Sequence, residues 1–91
     1  MVTVEEIRKS LRISHKNLDD EIERTKDACL LDMERVGICL QNKLTDSAVI
    51  LYCKADFDFQ GKGQQYMQNY EKLRDAMSLC DTYREGTQED V

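Results

Sequence analysis

The sequence predicts an all-α domain, and three observations carry that expectation. Its 91 residues contain no proline and only four glycines, the two residue types that are most costly inside a helix. Apolar residues recur at steps of three, four and seven along most of the chain, with no strand-like alternation. One stretch, about residues 45–57, is apolar on nearly every side of a helical wheel: Ala48, Val49, Ile50, Leu51, Tyr52, Cys53 and Ala55, broken only by Lys54. A helix of that kind belongs inside its domain, so a small four-helix domain is expected to pack around it. The stretch is too short to span a bilayer.

The first helix is announced by Thr3-Val-Glu-Glu6, a capping box, with Val2 and Ile7 placed as a hydrophobic staple. Val4, Ile7 and Leu11 then share one face. Residues 12–18 form a connection anchored by Ile13. Asn17 is the expected N-cap of a long acidic second helix, with Asp19, Asp20 and Glu21 at the positive end of its dipole. Leu18, Ile22, Cys29, Met33 and Val36 form its apolar series, weakest at Thr25 and Lys26. Gly37 is the expected left-handed stop, and Ile38 should fold back on Met33 as in a Schellman motif. Ile38 and Leu40 anchor the next loop. Thr45 or Asp46 should cap the central helix, Thr45 bringing a second staple from Leu44 and Val49. Phe57-Asp-Phe-Gln-Gly-Lys-Gly63 reads as a turn. A fourth helix carries Tyr66, Tyr70, Leu73, Met77 and Cys80 and should end near Tyr83. The domain thus covers residues 1–84, and 85–91 form an acidic, flexible tail.

A single small domain has a modest core and gains by burying surface against a copy or a partner. The net charge of −5 argues against a general nucleic-acid binder, which needs a basic footprint. Residues 1–12 are charged and amphipathic rather than an apolar leader, so the four cysteines read as reduced thiols. No C-x-x-C pair occurs, and one histidine cannot complete a usual zinc site. Cys29, Cys53 and Cys80 read as small buried hydrophobes.

No phosphate loop, zinc-protease, nucleophile-elbow or calcium-loop motif is present. His15 has no local carboxylate to orient it as a base and reads as solvated. The acids of the second helix read as a solvated face, with surface pairs Asp20–Arg24 and Glu23–Lys26, rather than a metal cluster. Arg8, Lys9, Arg12, His15 and Lys16 form the only basic concentration. It reads as a solvated face first, and otherwise as a docking surface for the acidic face or tail of an adjacent copy. Phe57 is expected in the core, and Phe59 is open between core and interface. Neither enzyme chemistry nor a cofactor is expected.

The order of the segments resembles one known family, the head-tail connector (head-completion, DNA-packaging) proteins of long-tailed bacteriophages and prophages. The stretches that carry it are Val4–Ile13, ending Leu-Arg-Ile; Leu18–Ile22, running on to Asp32-Met-Glu-Arg-Val-Gly-Ile38; Asp46–Ala55 with Phe57; and Tyr70-Glu-Lys-Leu73 with Leu79 and Tyr83-Arg84. The Gln60-Gly-Lys-Gly63 turn departs from the Asp- and Asn-rich turn of the family. The resemblance implies a virion protein made in the host cytoplasm. It implies a subunit that forms a ring under the portal, extends the DNA channel and docks the stopper or tail. Arg8, Lys9, Arg12, Phe59, Tyr83 and Arg84 are the expected partner-facing residues. Asp20, Asp27 and Glu34 are the expected channel-facing acids, past which DNA slides without sequence-specific binding. The alternative is a small prophage-encoded regulator or adaptor. A helix-turn-helix reading of the first two helices fails because the second is acidic where a recognition helix carries Arg, Lys or Asn.

Overall fold

The computed structural model describes residues 1–40 and 43–79. Four helices follow in order: α1 (Val4–Ser10), α2 (Asp19–Arg35), α3 (Lys43–Asp56) and α4 (Gly63–Leu79), with a 3-10 turn over Phe59–Gly61. No strand occurs among the described residues, and the domain is all-α.

α1 starts as its local chemistry dictates. Thr3 Oγ1 accepts from the Glu6 amide at 3.2 Å, and Glu6 Oε1 accepts the Thr3 amide at 2.8 Å. This reciprocal pair satisfies two amides that the helix cannot. Val2 and Ile7 are both buried, which completes the staple. The Val2 amide also donates to Asp46 Oδ1 at 2.9 Å, pinning the start of the chain to α3.

α2 begins at Asp19 with Leu18 in the N-cap position and no side-chain cap. Asn17 therefore does not cap it; its amide donates to His15 Nδ1 at 3.3 Å instead. Asp19, Asp20 and Glu21 face the dipole's positive end and supply the stabilisation that a cap otherwise gives. The other end is a Schellman motif. Gly37 sits at φ 84, its amide donates to the Glu34 carbonyl at 3.0 Å, and the Ile38 amide donates to Met33 at 3.1 Å. Ile38 is wholly enclosed.

α3 starts at Lys43, so Thr45 and Asp46 lie inside its first turn and neither is its cap. The staple expected with a Thr45 cap goes with it. Tertiary partners claimed both side chains: Thr45 is fully buried and donates to the Cys39 carbonyl at 3.3 Å, while Asp46 holds Val2. α3 packs against α1, α2 and α4. Its Ala48, Val49 and Cys53 have no exposed surface; Ile50, Leu51 and Tyr52 are half-buried, and of its residues only Lys43, Ser47 and Asp56 are exposed. Around this hub Ile7, Leu11, Ile22, Cys29, Met33, Ile38, Tyr70 and Met77 form one continuous core. Each fully enclosed aliphatic side chain there contributes about 1.5–3 kcal/mol.

The α3–α4 connection is tight. Asp58 is left-handed at φ 51, and its Oδ1 accepts the Gly63 amide at 2.8 Å. A Cβ at position 63 would stand 2.8 Å from the Ala55 carbonyl oxygen, so only glycine lets α4 begin so close to the end of α3. Along α4, Tyr70 and Met77 are buried, and Tyr66, Met67 and Leu73 are half-buried. Cys80, the expected helix end near Tyr83 and the acidic tail lie outside the described residues.

Candidate functional site

The basic concentration separates into a strut and a knob. Arg8 is the strut: Nε lies 3.1 Å from Asp19 Oδ1, its side chain is only 14% exposed, and it ties α1 to the start of α2. Lys9 is exposed and lies 3.7 Å from Glu5 one helical turn back. Arg12, His15 and Lys16 are exposed at the α1–α2 corner, and Arg12 makes no ion pair among the described residues.

Arg12 also has an unusual backbone. Its amide donates to Lys9 and the Ile13 amide to Arg8, each at 3.0 Å, so α1 ends in a second Schellman motif. Arg12 occupies the left-handed position at φ 60. Glycine is the usual occupant there, and a side chain costs about 1–2 kcal/mol.

Asp20, Asp27 and Glu34 are exposed at heptad spacing on one side of α2, with no ion pair among the described residues. The expected Asp20–Arg24 pair does not form, whereas Glu23 and Lys26 approach to 3.9 Å; exposed pairs gain too little to hold two long side chains in register. Arg24, exposed between Asp20 and Asp27 in the sequence, pairs with neither of them among the described residues. Leu31, 66% exposed, sits between Asp27 and Glu34.

Phe59 is half-buried rather than a free loop aromatic. Its ring centroid is 6.1 Å from that of Tyr66, and Lys54 Nζ lies 5.2 Å from the Phe59 centroid and 5.5 Å from that of Tyr66. The cation over both rings closes the turn. Phe57 is half-buried against the core. Tyr83 and Arg84 lie outside the described residues.

The strongest polar site is one that sequence reasoning missed. Asp32 on α2 receives the Tyr70 hydroxyl at 2.6 Å and an Arg74 guanidinium nitrogen at 2.9 Å, both on Oδ2. Its Oδ1 takes Arg35 at 2.7 Å. Partial burial pushes the Asp32 carboxyl up, but the bonds from Tyr70, Arg35 and Arg74 outweigh it and hold its pKa at about 2. The bond to Asp32 raises Arg74 in turn, while burial, reinforced by Asp32, raises Tyr70. Arg74 also stacks 5.6 Å over the Tyr70 ring, and Tyr52 meets Tyr70 edge-on at 5.0 Å. The cluster clamps α4 to α2 and α3. Its only sequence signal is that Asp32 and Arg74 each flank an apolar stripe, beside Met33 and Leu73.

Burial pushes the Cys29 thiol to about 12, against a smaller opposing pull from Tyr70. Burial together with the nearby Asp56 charge does the same to Cys53. Neither supplies a thiolate near neutral pH. Among the described residues no three His, Cys, Asp or Glu side chains gather as a metal site, and no helix is long and apolar enough to cross a membrane. An open depression of about 610 Å³ lies over Gly61, Lys62, Gln64, Gln65 and Gln68; it contains no paired acid and base.

Compared with protein-family models, with curated proteins and with solved structures, the chain matches none.

Proposed function

We propose that this chain is a head-tail connector subunit, a non-enzymatic virion protein that assembles as a ring beneath the portal. The ring continues the DNA channel and offers its far side to the stopper or tail. The observation that carries this reading is one of order. Among the described residues, the stretches that resemble the connector family fall, in sequence, on α1, α2, α3 and, through Tyr70–Leu73 and Leu79, α4, with α3 as the hub the others share.

The physical requirements of such a ring are compatible with the fold. A closed heterologous assembly needs a rigid subunit with two unlike, complementary flanks, and this domain carries a basic corner and an acidic helix face. A negative protein surface also avoids gripping the phosphate backbone, so DNA passes without being retained. In a ring the acidic stripe of α2 has two available places, the channel wall or the joint between subunits. Leu31 favours the joint, where a neighbour removes its apolar surface from water.

The test is to mix the purified full chain with portal assemblies from the same genome and image them by negative-stain microscopy. The proposal expects an added ring on one face of the portal. A chain that never associates with portal, at any salt concentration or stoichiometry, overturns it.

A further inference from the structure

We infer that the Arg12 corner of one copy docks on the Asp27–Leu31–Glu34 face of α2 in a second copy, head to tail. The contact rests on the connector reading only for its place in a virion. Its own basis is charge complementarity between two surfaces of the same chain, neither of which finds an ion-pair partner among the described residues.

The donor side is compact. Arg12, His15 and Lys16 are all exposed at one corner, and the neighbouring cation Arg8 is removed from it by Asp19. Arg12 and Lys16 have no anionic partner among the described residues. An arginine brings five fixed donors suited to bidentate capture of a carboxylate. Its left-handed backbone ties the guanidinium to the end of α1 rather than to a free loop.

The acceptor side matches in charge and extent. Asp27 and Glu34 are two helical turns apart, about 10 Å along α2, and exposed. Arg24 pairs with neither Asp20 nor Asp27 among the described residues, and Arg35 is committed to Asp32 at 2.7 Å. Asp27 and Glu34 have no ion pair among the described residues, and Leu31, exposed between them, adds the apolar contact that Asp20 lacks. The two surfaces are made of different residues, so a head-to-tail contact between them is heterologous and propagates from copy to copy.

Charge exchange tests it directly. One full-length variant carries Arg12→Glu and Lys16→Glu, the other Asp27→Lys and Glu34→Lys. Sedimentation velocity is measured on each and on their equimolar mixture, at low ionic strength and again at high salt. Wild type is expected to associate with rising concentration at low salt and to lose that association in high salt. Each variant alone should associate at least about tenfold more weakly, and the mixture should regain wild-type behaviour. Arg12→Gly, which relieves the backbone, should also lose association while keeping its fold.

A mixture no more associated than its separate components overturns the contact. So does a wild type that stays monomeric at low salt, an Arg12→Gly chain that associates fully, or an Asp27→Lys/Glu34→Lys chain that does so alone. The last result returns the stripe to the channel wall. The portal experiment is independent. Rings on portal without charge-swap rescue leave the connector standing with another joint; rescue without portal binding leaves the contact standing and removes the connector.

Discussion

Two residues show how local cost and long-range gain are balanced in this domain. Arg12 holds a left-handed backbone at φ 60 where glycine would be relaxed. Arg12→Gly should therefore stabilise the fold by about 0.5–1 kcal/mol, after glycine's greater freedom in the unfolded chain is deducted. Urea unfolding would show this as a raised midpoint with an unchanged slope, and a lowered midpoint would contradict it. Asp32 is the opposite case, a carboxylate whose three partners hold its pKa at about 2. Because the folded value lies below the unfolded one, the stabilisation is complete above about pH 4 and disappears as pH falls towards 2. Allowing for solvent at a half-buried site, about 1 kcal/mol is at stake. In Asp32→Asn the extra acid sensitivity between those values should vanish, as unfolding measured across that range would reveal. Tyr70→Phe should cost about 1 kcal/mol by removing one bond to the cluster.

At the scale of elements, the helix ends closed by their own near neighbours were readable, and those whose side chains found distant partners were not. The capping box at Thr3 and the Schellman stop at Gly37 were legible because each is closed by residues within a few positions. The cap expected of Thr45 or Asp46 failed for the converse reason, since acceptors and donors from elsewhere took those side chains. The α3–α4 turn is the most constrained element. Gly63→Ala would drive a methyl group to 2.8 Å from the Ala55 carbonyl oxygen and 3.1 Å from Asp58 Cα. Both are backbone atoms that cannot swing aside, so the substitution should cost on the order of 1–3 kcal/mol. A fully retained denaturant midpoint in Gly63→Ala would mean that the turn is slacker than its geometry indicates.

For the whole molecule, the buried thiols report on cooperativity. Cys29 and Cys53 have no exposed surface and are raised to about 12, so they should react with a thiol reagent only through unfolding. In a chain carrying Cys80→Ser, Cys39, which is half-buried, should label first, and the other two at a rate that follows global stability. Prompt labelling of all three in the native protein would show that the domain opens locally around α3. The same core leaves the charged corner and the α2 face on a common rigid body, which a ring joint requires.

Composition, spacing and cap chemistry were enough to determine four helices, their order and the enclosure of α3, because those depend on contacts within a few residues or on one apolar face. What the tertiary structure alone decided is which charges are spent. Arg8 goes to Asp19 across 11 positions, and Asp32 goes to Tyr70 and Arg74 across 38 and 42. No periodicity in the chain specifies such pairings, because a side chain on the flank of a helix acquires its partner only when the packing of the core sets two helices side by side.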